Sequence, residues 1–375
     1  MKKGLDCMNT ATLTFHASNN NGSFLQAYAL QKTLRSKMNI ANTIIDFRTD
    51  RQMRQYSIFR RPHSMGDILR NGISAIHYRK LCSRFRRFEE MRNRYLQMTK
   101  RCETEKSAYE IAKGYDVVIC GSDQIWNTAA RDFSEIYFYP LPTNKKMTYA
   151  VSCGFHIPEG NGAKFIEWAS KFDYLSVREP SLAEFLKNKG MPKAEIVLDP
   201  TFLLDRSDYE ELYEPEMIMK GRYIFLYTIN YNDDILRAAQ KLAMASGLPI
   251  YAPFTGYSAV KCHKYGIKIL YDVAPDKFLN LIHHATYICT NSFHGIAFSI
   301  IYEKDFFRPY SADMGGQLIP DDRIDGILGI LGIQNRNIPE DNMEVQPLDY
   351  SEIAEKLKTL RKQSIDYLAK ALRDA

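Results

Sequence analysis

With 375 residues, 45% hydrophobic and 25% charged, the chain is long enough for two ordinary domains and apolar enough to give each a core. It has no run of 18 apolar residues and no apolar leader in MKKGLDCMNTATLTF, and its seven cysteines (7, 82, 102, 120, 153, 262 and 289) form no CxxC pair; this argues against a membrane span, secretion, a disulfide frame or a zinc site, and for a cytoplasmic protein. The net charge of +6 is uneven: Arg51–Arg101 holds 14 Lys and Arg against Asp67, Glu89 and Glu90, a local net of +11 that leaves −5 elsewhere, so this segment is expected to meet an anionic partner.

In chain order, Ala11–Phe15 alternates as a short strand and breaks at the polar run His16–Gly22. Ala27, Leu30 and Leu34 then keep the spacing of a helix packed on a sheet, and Thr43–Phe47 reads as a second buried strand. After the basic segment come strands at Asp116–Cys120, Met147–Val151 and Tyr174–Arg178. A helix follows from about Ser181 to Lys189, with Ser181 and Glu184 spaced as a capping box, and Glu195–Leu198 closes this half. The acidic, weakly periodic stretch Tyr209–Met219 is the expected linker. The βα alternation then restarts, with strands at Tyr223–Ile229, Pro249–Tyr251, Ile267–Leu270, Tyr287–Thr290 and Phe306–Phe307. Helices are expected at Asp233–Ala245, Asp276–His284, Phe293–Tyr302, Arg323–Leu331 and Ser351–Leu372. The pattern predicts an α/β protein of two Rossmann-like, doubly wound domains facing a cleft. One covers 1–205, with a basic helical insertion at about 51–101; the other covers 220–350, and 351–375 is a terminal helix.

Ligands of such sheets bind where strands end and helices begin, which selects four loops: Asn19–Ser23, Gly121–Asn127, Ser152–His156 and Asn291–Gly295. In the last, His294 at a helix start can serve as general acid or base near neutral pH, and Gly295 permits close backbone approach by a phosphate or carboxylate. The alternative is an Asn/Ser cap with a half-buried histidine. In the second, Asp123, Gln124 and Asn127 suit sugar hydroxyls and Trp126 a ring face, unless the loop is an ordinary turn with Trp126 in the core. Arg178, leaving an apolar strand, can grip an anion in bidentate fashion or pair with Glu179 or Glu184. Asn20, Asn21 and Gly22 fit either a binding loop or a simple turn.

The basic segment places Leu81, Phe85, Phe88 and Tyr95 at helical spacing among Arg84, Arg86, Arg87, Arg92 and Arg94. It reads as a solvated helix that packs its apolar face on the first domain and, since both can hold at once, as a contact for an anionic membrane or a diphosphate-linked acceptor; the alternative is that its arginines pair with acidic residues of the second domain. No nucleic-acid motif accompanies the charge, and HExxH, GxSxG, Walker A and a full GxGxxG are all absent.

Taken together, Asn20–Gln31, Asp116–Asn127, Tyr149–Gly154, Leu175–Glu179, Val197–Pro200 and Thr290–Ser299 resemble the polysaccharide pyruvyl transferases. The resemblance implies a GT-B-like fold, phosphoenolpyruvate as co-substrate with no cofactor or metal, and a sugar of a capsular or exopolysaccharide precursor as acceptor, free or lipid-diphosphate-linked. It implies His294 as the catalytic residue, Arg178, Asn291, Ser292 and Gly295 on the donor side, and Asn20, Asn21, Gly22, Asp123, Gln124, Trp126 and Asn127 on the acceptor side. Several branches of the family carry a basic residue two positions before the histidine, where this chain has Ser292; Arg178, Arg308 or Lys261 would then supply the cation. The competing expectations are a nucleotide-sugar glycosyltransferase of the same architecture and a non-catalytic carbohydrate- or membrane-binding protein.

Overall fold

Two sheets, every strand pair in them parallel, carry the chain in a computed structural model. It describes residues 8–130, 132–138, 142–143, 145–154, 162–191, 194–255, 258–309, 321–333, 336, 338 and 347–374. The first sheet has six strands in the order β2-β1-β3-β4-β5-β6: β1 (Asn9–Leu13), β2 (Ala41–Ile44), β3 (Val117–Asp123), β4 (Lys145–Val151), β5 (Ser176–Val177) and β6 (Glu195–Ile196). The second has five in the order β11-β10-β7-β8-β9: β7 (Ile224–Tyr227), β8 (Ile250–Pro253), β9 (Lys268–Leu270), β10 (Tyr287–Thr290) and β11 (Phe306–Phe307). Both orders reverse direction at an inner strand, as doubly wound sheets do. The apolar run Val117–Cys120 is wholly buried in β3, as expected of a strand covered on both faces.

Helices α1 (Asn21–Lys32), α2 (Asp50–Gln55), α3 (Met65–Ile76), α4 (Tyr78–Tyr95), α5 (Glu105–Ala112), α6 (Gly162–Ala169) and α7 (Pro180–Asn188) accompany the first sheet. Past it come α8 (Arg206–Glu210), α9 (Asp233–Ser246), α10 (Ser258–Lys264), α11 (Pro275–His284), α12 (Phe293–Ile301), α13 (Asp322–Leu331) and α14 (Tyr350–Arg373). Among the described residues no helix is long and apolar enough to cross a membrane. Helix α1 is buried on every side from Asn21 to Gln31. One core joins its Phe24, Leu25 and Tyr28 to Phe278 and Ile282 of α11 and Phe293 and Ile296 of α12. The two halves therefore share an apolar seam, with α1 along it.

Several expectations change. The stretch Tyr209–Met219 lies between the two sheets and is anchored, with Tyr209, Leu212 and Tyr213 buried in that seam. No capping box forms at Ser181, because Pro180 opens α7 and the Ser181 amide donates to Asp322 instead. Helix α14 returns to the first sheet, where Tyr367 Oη donates to Thr148 O at 3.0 Å and the Ser364 hydroxyl accepts from the Leu198 amide at 3.0 Å.

In the basic segment, the structure shows the packing of α4. Phe88 is fully buried and Leu81 packs against Phe254 and Tyr271 of the second half, so the apolar face of α4 is spent inside the protein. Arg84 Nε donates to Val273 O at 3.0 Å and its Nη2 to Asn19 O at 3.1 Å, while Arg87 Nε donates to Asp276 at 2.7 Å. Arg92 is buried between Asn19 and Glu89. Arg84 and Arg87 join the two halves, and Arg92 ties α4 to the loop before α1.

Candidate functional site

The strand ends of the first sheet and the start of α12 meet at the seam. Asn20 caps α1, its Oδ1 accepting from the Gly22 amide at 2.9 Å and the Ser23 amide at 3.4 Å. That leaves the Ser23 hydroxyl to donate to Asp123 Oδ2 at 2.8 Å, across to the end of β3. A Cβ at Gly22 would lie 2.2 Å from His294 Nδ1, so the bare backbone there lets the imidazole rest on α1. Asp123 holds a φ of 73°, an uncommon conformation for a residue with a side chain, and such outliers concentrate where geometry serves function.

Arg178 leaves β5 and reaches under α12. Its Nη1 donates to Asp199 Oδ2 at 2.7 Å and its guanidinium lies 4.3 Å from the centre of the Phe293 ring. Its partner is thus Asp199, neither Glu179 nor Glu184. Asp199 is held in turn by the Thr201 amide at 3.0 Å and the Thr201 hydroxyl at 2.7 Å, with Ser122 Oγ at 3.3 Å. Arg178 Nε and Nη2, His294 Nε2 and Asn21 Oδ1 are buried with no hydrogen-bond partner among the described residues. Buried unpaired donors and acceptors are costly, and these call for a polar occupant. Ser292 opens α12 without a side-chain cap, which leaves the first-turn amides and the positive helix end directed at the same place.

The electrostatics follow from burial. Burial pushes the His294 imidazole below its ordinary value against the pull of Asp199 and Asp123, with Arg178 and Arg323 adding to the fall; the ring is neutral at neutral pH. For Arg178, burial works against the charge, but Asp199, Glu179 and Asp123 outweigh it and keep the guanidinium cationic. Burial raises the Glu179 carboxyl to about 7, opposed by Arg178 and the Ser152 hydroxyl beside it.

The remaining sequence candidates divide. Gln124 and Asn127 form a polar pair, Asn127 Nδ2 donating to Gln124 Oε1 at 3.2 Å with Gly154 packed against both. Trp126 is a correction: it is fully buried, stacked on Phe138 at 4.6 Å with its Nε1 donating to Tyr137 O, so no ring face is open to a sugar. At Gly295 a Cβ would lie 2.1 Å from Thr290 Oγ1, so the missing side chain lets α12 pack on β10. Asn291 Oδ1 accepts from the Ile229 amide, tying the exits of β7 and β10 together. In the loop Ser152–His156, Ser152–Gly154 are buried, while positions 155 and 156 lie outside the described residues. Of the cations proposed to substitute at Ser292, Arg178 stands at the histidine; Arg308 pairs with Asp325, and Lys261 lies 3.9 Å from Asp233 on α9.

Sequence reasoning gave no role to Ser23, Asp199 or Arg323. Asp199 was accessible to it, since it follows the last strand of the first half and obeys the same strand-end rule. Arg323, paired with Asp321 at 2.7 Å, arrives from α13 and carries no local signal.

Comparison with known proteins bears on this geometry. The profile of the family described as polysaccharide pyruvyl transferase matches residues 20–308. No curated protein matches the chain. Among solved structures, S. aureus MnaA with UDP is similar at a TM-score of 0.51 and 10% identity, over 97% of this chain and 91% of that one. The UDP-GlcNAc 2-epimerase of Methanocaldococcus jannaschii aligns at a TM-score of 0.46 and 12% identity, over 94% of this chain and 99% of that one. The first likeness, with the strand orders above, establishes an α/β, GT-B-like fold.

Proposed function

Because the chain belongs to the polysaccharide pyruvyl transferase family, we propose that it transfers pyruvate from phosphoenolpyruvate to a sugar of a capsular or exopolysaccharide precursor, free or lipid-diphosphate-linked, as a cyclic ketal. The observation that carries the donor assignment is the buried, unpaired Arg178 Nε and Nη2 beside the uncapped start of α12. A guanidinium fork and a helix N-terminus suit a compact ligand with both a carboxylate and a phosphate. Protonation of the donor methylene makes C2 electrophilic. One sugar hydroxyl adds at C2, phosphate leaves with a proton, and a second hydroxyl closes the ring. Neutral His294, held between α1 and the Asp123 side, takes the proton from the attacking hydroxyl. Asn21, Asp123, Gln124 and Asn127 are the proposed acceptor contacts. This chemistry calls for no separate cofactor or metal.

Thermal unfolding tests the donor. Saturating phosphoenolpyruvate at about 100 times its Kd should add about 2.7 kcal/mol of stability to the native protein and should no longer do so in Arg178→Lys, whose ammonium lacks the fork. Stabilisation by UDP-sugars and none by phosphoenolpyruvate would replace this reading with a glycosyltransferase.

A further inference from the structure

Helix α3 shows an arrangement that nothing in the transfer reaction uses. Its residues Met65, Ile68, Leu69, Gly72 and Ile76, at i, i+3, i+4, i+7 and i+11, form one stripe, and every one of them except the glycine is a large apolar residue exposed to solvent. Met65 and Ile76, at its two ends, are each 79% exposed. The flank beside the stripe is engaged, where Ile73, with Ile58 of the preceding loop, packs against Leu81, Phe254 and Tyr271, and on the face opposite the stripe Ser74 is buried. The helix is also fixed in place. Arg70 donates to Ile58 O and Ser57 O, and the Asn71 side chain clasps both the amide and the carbonyl of Arg60. A continuous apolar stripe held rigidly outward marks an interaction surface, in contrast to apolar residues scattered singly.

The charge around the stripe indicates what it meets. Arg60 and Arg61 lie just before α3, Arg79 and Lys80 just after it, and all four are exposed. Arg51 and Arg54 of α2 join Arg60 and Arg61 in lining an open basin of about 710 Å³. The one acidic side chain on α3, Asp67, is spent on its cap, accepting from Ser64 Oγ and the His63 amide. An apolar stripe bounded at both ends by cations is the arrangement of a helix lying in a bilayer interface, with its apolar face among acyl chains and its cations among phosphates. A second copy of the chain would bring an equally basic rim against this one, which like-charge repulsion opposes.

We infer that the outward face of α3, with its flanking arginines, docks the protein on an anionic membrane surface. This places the contact on α3 and the loop before it, whereas the charge pattern of the sequence pointed equally to α4. The docking is independent of which group the enzyme transfers, so its failure and that of the pyruvyl reading are distinguishable.

Co-sedimentation of the full chain with phosphatidylglycerol/phosphatidylcholine vesicles, against phosphatidylcholine alone, tests it. Partitioning onto the anionic vesicles should be at least about tenfold stronger at ~0.1 M salt and should weaken steeply at ~1 M, as the screening length falls from about 10 Å to about 3 Å. The double variant Ile68→Glu/Leu69→Glu and the double variant Arg60→Glu/Arg61→Glu should each lose about tenfold or more with their melting temperatures unchanged. Arg86→Glu, exposed on α4, should stay within about twofold of the parent. Equal pelleting with both vesicle types, or parental pelleting of the Ile68→Glu/Leu69→Glu variant, would overturn the inference. So would light scattering that shows a dimer dissolved by that variant, since the stripe would then be a protein interface.

Discussion

His294 illustrates how much one residue's surroundings add to its identity. The sequence places a histidine at a strand-to-helix junction and no more. Burial against α1 keeps the ring neutral, and the missing side chain of Gly22 makes room for it. A base that must be neutral loses activity as pH falls through its pKa, and here that pKa lies below the ordinary histidine value of about 6.5. The pH profile of kcat/KM should therefore carry an acid limb breaking below that point, and His294→Ala should cost about 10²–10⁴-fold in kcat while the fold stays intact. Activity within about twofold of the parent, or a variant that keeps the acid limb, would remove His294 from the chemistry. Residue type alone misled at Trp126: an aromatic ring in a loop beside a site serves packing as readily as binding, and Phe138, stacked on the indole from further along the chain, decides between the two.

Elements were legible where their period was strong and obscure where the contact that fixes them is remote. The buried runs of β3, β4, β7 and β10 and helices α9, α11, α12 and α14 follow from periodicity, because each presents its apolar residues at the spacing of its own geometry. Helix α3 and the seam around Tyr209 do not, since one carries its apolar stripe on the outside and the other interrupts acidic residues with aromatic anchors. The exit of β2 shows a contact of the same remote kind. Burial alone would raise the Asp46 carboxyl, but hydrogen bonds from His16 and Arg48 outweigh it and hold it at about 2. Arg48 passes the link on to Glu89 of α4 at 2.9 Å. A carboxyl depressed in the folded state contributes stability above its unfolded value of about 3.9, and that contribution is lost as pH falls through about 2. Asp46→Asn should destabilise the protein by about 1.5–3 kcal/mol at neutral pH, the scale of hydrogen bonds to a charged group. Its melting temperature should also fall less steeply than the parent's between about pH 4 and pH 2. Parallel curves for the two proteins would mean that Asp46 is not the group that titrates.

At the scale of the whole molecule, the acidic body and basic segment seen in the composition become a division of labour. Arg60, Arg61, Arg79 and Lys80, on either side of α3, are exposed, whereas Arg84 and Arg87 of α4 are spent between the halves, and no count of Lys and Arg separates the two sets. Arg84 is half-buried where it bridges a carbonyl of the loop before α1 and a carbonyl before α11, so the position of the acceptor loop relative to the second sheet depends on it. Beside it Arg87 and Asp276 form a more exposed link at 2.7 Å, open to solvent and therefore screened. A double-mutant cycle over Arg87→Ala and Asp276→Ala should accordingly give a coupling of only about 0.5–1 kcal/mol that shrinks in high salt. Arg84→Ala should do something different in kind. It strips the partners from two carbonyls, one in each half, and lets the α1 loop drift from α12, so kcat/KM for the sugar should fall by more than tenfold even where the melting temperature drops only a few degrees. Arg84→Lys should recover little of it, because one ammonium cannot span both carbonyls as the guanidinium does. Full activity in Arg84→Ala would mean that the apolar seam alone sets the two halves in register and that the arginines of α4 add nothing to the site.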